Sequence, residues 1–214
     1  NLDRVHEIEI PENERAHYSK RTIDVEFKYP FGLKELYGLA YRTDFDLASH
    51  AKFSGVDLAY QDTETGESYI PHVVEPSMGL ERTLLVVLLS AYHEEQAPTA
   101  EAGETDVRVV LKLPKVLAPI QVAVLPLSKK DELAIPAREL ANKLRQSFRV
   151  EYDETQSIGR RYRRQDEIGT VYCVTFDFDS LKDGAVTVRD RDTMVQERIS
   201  LSELPAYLTK VLAV

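Results

Sequence analysis

The sequence predicts an α+β fold in two parts, a mainly antiparallel sheet followed by a region where strands and helices alternate. Three observations predict it. Ile23-Asp24-Val25-Glu26-Phe27-Lys28-Tyr29 alternates apolar and polar residues without a break, the pattern of a strand with one buried face. Pro30-Phe31-Gly32 ends that strand, and Asp62-Thr63-Glu64-Thr65-Gly66-Glu67 reads as a hairpin turn; strands joined by hairpins run antiparallel. Further on, Ile120-Gln121-Val122-Ala123-Val124-Leu125 opens an alternating β and α region, and its helix carries Leu133, Ala137, Leu140, Ala141 and Leu144 on one face.

The remaining elements follow in order. A second strand covers Leu36 to Arg42, with Gly38 and Ala40 where a ligand or a neighbouring backbone can come close. Tyr69-Ile70-Pro71-His72-Val73-Val74 is short and β-prone. Leu84 to Leu89 is an apolar run too continuous for a solvent-facing helix. Glu94 to Asp106 holds five acids and no large apolar residue, with Pro98 and Gly103 as breakers, and reads as an exposed loop or interdomain linker. The domain boundary is accordingly placed between residues 1–106 and 107–214. Val107 to Leu113 is extended, and Pro136 places the start of the regular helix close to itself. Strands are expected at Arg149 to Tyr152, Tyr172 to Asp177 and Ala185 to Arg189. A last amphipathic helix carries Leu204, Leu208, Val211 and Leu212, with Ser202 as its N-cap.

Composition narrows the function classes. At 214 residues with 43% hydrophobic content, the chain has the length and apolar content for real cores. A net charge of −9 excludes a generic nucleic-acid coat, because phosphate binding is driven by Lys and Arg; any RNA contact is then a local patch. The strong basic cluster is Arg160, Arg161, Arg163 and Arg164, with Tyr162 as a stacking platform; a solvated helix or an ion-pair network involving Asp166, Glu167, Arg189 and Arg191 is the alternative. The single Cys173 excludes an internal disulfide, fits a reducing cytosol, and is read as a buried strand residue. No stretch approaches the roughly 20 apolar residues of a membrane span, and Asn1-Leu2-Asp3-Arg4 resembles no signal peptide, so a soluble cytoplasmic protein with no membrane partner is expected. The five histidines are scattered, no P-loop, nucleophile elbow or zinc spacing occurs, and no metal site is assigned. Asp44 and Asp46 share a face at strand spacing, but they lack further ligands, and an ion pair with Arg42 or a backbone role is the stronger reading.

The segment Val74-Glu75-Pro76-Ser77-Met78-Gly79-Leu80-Glu81-Arg82 is the most informative. It sets an acid, a hydroxyl, a glycine and an arginine between an apolar strand and an apolar helix. N–H groups at a helix start favour anions, Gly79 admits a ligand to the main chain, and Arg82 one turn in can clamp a phosphate. A plain helix start with an exposed Glu-Arg pair is the competing account.

Taken with Glu35-Leu36-Tyr37-Gly38-Leu39-Ala40-Tyr41-Arg42-Thr43-Asp44-Phe45-Asp46-Leu47, this segment resembles bacterial glycyl-tRNA synthetase, a class II aminoacyl-tRNA synthetase, whose third signature motif matches Glu75 to Arg82. The resemblance continues through Leu117-Ala118-Pro119-Ile120, residues 159–169 and Val186 to Thr193, which look like the family's C-terminal anticodon-binding domain. It implies a partial antiparallel catalytic sheet, then an α/β anticodon-binding domain with a mixed sheet. It implies that Arg82 holds the ATP phosphates, that Gly79, Leu80 and Glu81 line the adenosine site, and that Glu35 with Leu36 contacts ATP or its Mg²⁺. Glycine would be bound by Glu75, Pro76, Ser77, Met78 and Gly79, the Glu75 acid pairing with the α-ammonium, with a buried structural ion pair as the competing account of Glu75. Met78 stands where the family commonly has a small residue. Arg160, Arg161, Arg163 and Arg164 would bind tRNA-Gly.

The implied activity is glycine–tRNA ligation: ATP-dependent formation of glycyl-adenylate, then transfer to tRNA-Gly, by a cytoplasmic homodimer. The family's first and second motifs, which supply the dimer interface and an arginine for the ATP α-phosphate, are not found here. With no initiator Met, residues before Asn1 are expected to be missing, and this stretch alone is expected to be inactive. A noncatalytic nucleic-acid-binding accessory protein on the same scaffold is the rival reading.

Overall fold

The alternating segment folds as predicted. In the computed structural model, which describes residues 2–98 and 105–213, the chain divides into two compact units, the first ending at Ser90 and the second beginning at Ala91. In the first unit, β1 (Val5–Glu9), β2 (Arg21–Tyr29), β3 (Gly32–Thr43) and β6 (Val73–Met78) form one antiparallel sheet in that order. Helix α1 (Phe45–Ser54) and a small hairpin of β4 (Tyr60–Gln61) and β5 (Ser68–Tyr69) lie between β3 and β6 in sequence. The hairpin turn is the expected one: Asp62 N–H donates to the Glu67 carbonyl at 2.8 Å.

Phe27 and Tyr29, two apart on β2, point the same way and form the core of this unit with Leu36. Helix α2 (Leu80–Ala91) covers them with Leu85, Val86 and Leu89. Fully burying a side chain such as Phe27 contributes about 1.5–3 kcal/mol. The continuous apolar run of α2 thus has one covered face, while Leu80, Leu84 and Leu88 are 79%, 56% and 39% exposed.

In the second unit, the segment expected as a loop or linker is a hairpin. Strand β7 (Tyr92–Pro98) pairs antiparallel with β8 (Thr105–Leu111), burying Ala97 and Val110 completely. The sequence concealed this because the buried side chains of the pair include a charged one, Arg108, so the apolar alternation is broken. Residues 99–104, also part of that expected loop, lie outside the described residues. The hairpin shifts the division of the chain to Ser90 and Ala91, ahead of the boundary read from composition.

The rest of the unit is a five-stranded mixed sheet in the order β10 (Val150–Tyr152), β9 (Val122–Pro126), β11 (Tyr172–Phe176), β12 (Ala185–Asp190), β13 (Gln196–Ser200). The first three run parallel and the last two antiparallel. All five residues of β9 and of β11 are buried, as central parallel strands must be. Helix α3 (Asp131–Leu144) buries Leu133, Ala137, Leu140, Ala141 and Leu144, the predicted face. It begins at Asp131 and carries Pro136 inside it, so the expected start near Pro136 is corrected. A proline this close to the N-terminus removes few intrahelical hydrogen bonds, and Asp131 and Glu132 suit the first turn. Helix α4 (Ile158–Ile168) packs toward β8 and β9, α5 (Ser180–Asp183) is a single turn, and α6 (Leu204–Leu212) seats Leu204, Leu208 and Leu212 in the core. Glu203, not Ser202, is the cap position of α6. Gly169 ends α4 at φ +80°, and a Cβ there would lie 2.9 Å from the Leu111 carbonyl oxygen, so glycine is needed for both backbone and space.

Candidate functional sites

Strand register assembles the first site. On β6, Glu75 pairs with Ala40 and Ser77 with Gly38, so both motif residues lie beside the small residues of β3. Gly38 also pairs with Asp24 on β2. A Cβ on Gly38 would sit 3.4 Å from Glu35 Oε1, 3.7 Å from Asp24 Oδ1 and 3.9 Å from Ser77 Cβ, so four residues converge on one spot of the sheet. Glu75 to Met78 are strand residues; the expected junction itself narrows to Gly79, with the helix starting at Leu80. Pro76 is tolerated because β6 is an edge strand.

Glu75 is not a free carboxylate. It accepts a hydrogen bond from Arg42 Nη1, while Arg42 Nε and Nη2 each donate to Asp46 at 2.7 Å. The Arg42 guanidinium also lies over the Tyr18 ring, 3.9 Å from its centroid. Asp46 is therefore an ion-pair partner, and its hydrogen bonds from Arg42 hold its carboxyl below the ordinary value. The sequence offered Arg42 only as a neighbour of Asp44 and Asp46; the β3–β6 pairing that brings it to Glu75 is not visible in the order of residues.

Glu35 and Arg82 come together from far apart in sequence. Arg82 Nη1 lies 3.8 Å from Glu35 Oε2 and also donates to the Glu35 carbonyl; both side chains are about half exposed. The Leu36 side chain is 6% exposed and packs in the core under α2, so only its main chain is placed for the expected ATP contact. Leu36 is the extra residue at the register shift opposite Val25 and Glu26, and it packs into the core together with its neighbour Tyr37. Met78 and Leu80 are strongly exposed, and Glu81 is exposed. A Cβ on Gly79 would approach only Arg82, at 3.9 Å, which leaves the main chain there open.

The second site is on α4, where helix periodicity splits the basic cluster in two. Residues three apart share a face, so Arg160 pairs with Arg163 and Arg161 with Arg164. Arg161 is 2% exposed and donates to the carbonyls of Thr155 (3.1 Å), Gln156 (2.7 Å) and Pro126, so it is corrected from a ligand-contacting residue to a brace of the loop before α4. Arg164 is half-buried and donates to Asp153 (3.2 Å), Gln156 (3.1 Å) and Thr155 (2.8 and 2.9 Å), which leaves its guanidinium committed. Arg160 and Arg163 make no ion pair among the described residues, and they face a groove of about 480 Å³. Ser157, Tyr162, Arg189, Met194, Gln196, Pro98 and Asp106 also line it.

Tyr162 is not an open stacking platform. Its hydroxyl is bonded to Thr175 at 2.5 Å, its ring packs against Ala123, Leu125 and Cys173, and Arg189 covers it at 4.9 Å. The ion-pair alternative holds for Arg189, which donates to both Asp166 oxygens at 2.9 and 3.1 Å. Among the described residues, no group of three or more His, Cys, Asp and Glu could hold a metal ion, and no helix is long and apolar enough to cross a membrane.

The mixed-sheet unit carries an anticodon-binding domain: residues 121–211 match the anticodon binding domain family. Along nearly its whole length the chain is similar to aminoacyl-tRNA synthetases. Over 215 aligned residues the chain is 56% identical to glycine–tRNA ligase of Corynebacterium efficiens, covering 99% of this chain and 46% of that protein. It is 52% identical to the Thermobifida fusca enzyme over 100% of the chain and 46% of that protein. With the Staphylococcus aureus enzyme the identity is 54%, over 93% of the chain and 42% of that protein. The chain is thus similar to glycine–tRNA ligases over nearly its whole length, and it spans about half the length of the curated relatives it matches.

Proposed function

We propose that this chain carries the third-motif part of a glycine-activating site and the tRNA-binding part of a glycine–tRNA ligase. The observation that carries this reading is the convergence of Glu35, Arg82, Glu75 and Ser77 beside Gly38 and Ala40, in a chain 56% identical to such an enzyme. Activation joins the glycine carboxylate to the ATP α-phosphate. It needs charge neutralisation and positioning and no protein nucleophile.

Glu75, oriented by Arg42, accepts the glycine ammonium. Gly38 and Ala40 keep the sheet surface low, and Ser77 supplies a hydroxyl beside it. Arg82, in the first turn of α2, swings from Glu35 to the ATP phosphates, where the helix N-terminus adds favourable partial charge. Gly79, Leu80 and Glu81 border the adenosine. Glu35, once released by Arg82, would hold the Mg²⁺ that accompanies ATP, and that ion would supply neutralisation of phosphate charge. On α4, Arg160 and Arg163 bind tRNA-Gly phosphates along the groove. The complete enzyme works as a cytoplasmic homodimer, and residues 1–214 alone do not activate glycine.

The test is glycine-dependent ATP–pyrophosphate exchange by this polypeptide, by a form extended to the length of its relatives, and by the extended form carrying Arg82→Ala. Activity in the extended form alone, abolished by Arg82→Ala, supports the reading. A folded extended form that is silent with glycine overturns it and favours the nucleic-acid-binding accessory protein.

A further inference from the structure

We infer that the β7–β8 hairpin is a wall of the tRNA groove and that Asp106 on it reads an unpaired base; this rests on the tRNA-binding reading above. The matched anticodon-binding domain begins at residue 121, so the hairpin lies outside it. Buried charge nevertheless fixes the hairpin to that domain. Arg108 of β8, fully buried, donates through Nε to Asp166 of α4 at 2.7 Å, through Nη1 to Glu95 of β7, and through Nη2 to the Arg191 carbonyl. Arg191 in turn donates to the Leu113 carbonyl at 2.8 Å. A buried pair of this kind resists opening, because a lone charge would be left in the interior. The hairpin is held where Pro98 and Asp106 line the same groove as Arg160 and Arg163.

The charge pattern decides what Asp106 does there. Arg189 is neutralised by Asp166, whereas Arg160 and Arg163 are unpaired among the described residues and suit phosphate. A carboxylate in that lining opposes phosphate and gains from an N–H or O–H donor. Single-stranded RNA offers such donors on the edges of its unstacked bases, and aspartate accepts well from a base amino group. Asp106 Oδ1 takes the Val107 N–H at 2.8 Å, which orients the exposed carboxylate, and among the described residues no donor takes Oδ2. An oriented acceptor discriminates between bases, and the neighbouring arginines supply affinity without sequence preference.

The experiment measures binding of the 214-residue chain to a tRNA-Gly transcript and to transcripts with single anticodon bases replaced, at two salt concentrations. Asp106→Ala is expected to lose roughly 5- to 150-fold of discrimination at one base position while keeping the parent's salt dependence. Asp106→Asn retains an acceptor for Val107 N–H and controls for that local hydrogen bond. Arg160→Ala and Arg163→Ala are expected to weaken all transcripts alike and to flatten the salt dependence. If the arginine variants weaken binding and Asp106→Ala discriminates as the parent does, or the parent does not discriminate, the inference is wrong and the tRNA reading stands. If the arginine variants also bind unchanged, the tRNA reading falls with it.

Discussion

Arg108 and Asp166 meet at 2.7 Å with side chains 0% and 1% exposed, and Asp166 holds Arg189 with the same carboxylate. One acid therefore bridges two buried guanidinium groups from β8 and β12, and Glu95 of β7 supplies Arg108 with a second carboxylate. Asp166→Ala should destabilise the second unit by about 3–5 kcal/mol, the usual result of leaving a buried charge without its partner. Urea unfolding followed by far-UV circular dichroism checks it; a loss under about 1 kcal/mol, the scale of exposed pairs, would show that water or local movement compensates the arginines.

Gly169→Ala should cost about 1–3 kcal/mol, because alanine at φ +80° is strained and its methyl meets the Leu111 carbonyl. Gly184 also has positive φ, at +65°, but nothing lies within 4 Å of its Cβ position. Gly184→Ala should therefore be the milder change, and equal unfolding midpoints for the two variants would contradict the contact with Leu111.

Cys173 sits in β11 at 2% exposure, and burial pushes its thiol up to about 12. The thiolate is the reactive form, so alkylation at pH 8 should be slow in the native chain and fast in urea. Labelling at the rate of a free thiol without denaturant would mean that the second unit opens readily.

Acid should weaken the loop before α4. Burial raises the Asp153 carboxyl, but the Thr155 hydroxyl and N–H bonds and Arg164 outweigh it and leave the group below its ordinary value. A native value below the unfolded one, about 3.9, adds stability that is present above that pH and lost as pH falls through the native value. Unfolding midpoints should begin to drop below about pH 5. Asp153→Asn should be less stable at pH 7 and respond less to acid; an identical acid response in parent and variant would remove Asp153 as a contributor.

Periodicity carried much of the fold. The unbroken alternation of residues 23–29 became β2, the helical spacing of Leu133 to Leu144 became the buried face of α3, and the Asp62 to Glu67 turn joined two strands. These patterns are local, each set by which side of one element must leave water. Register and burial of charge are not local. Nothing in the order of residues pairs Gly38 with both Asp24 and Ser77, or sends Arg42 to Glu75. Likewise four arginines within five residues read as one patch until the helix turns Arg161 and Arg164 inward and leaves Arg160 and Arg163 at the groove. The sequence by itself determined the α+β class, the family motifs and the residue types available to each site. Tertiary structure alone decided which charges are committed to partners and which face a groove, because a guanidinium is equally charged in either place and only its neighbours set its role.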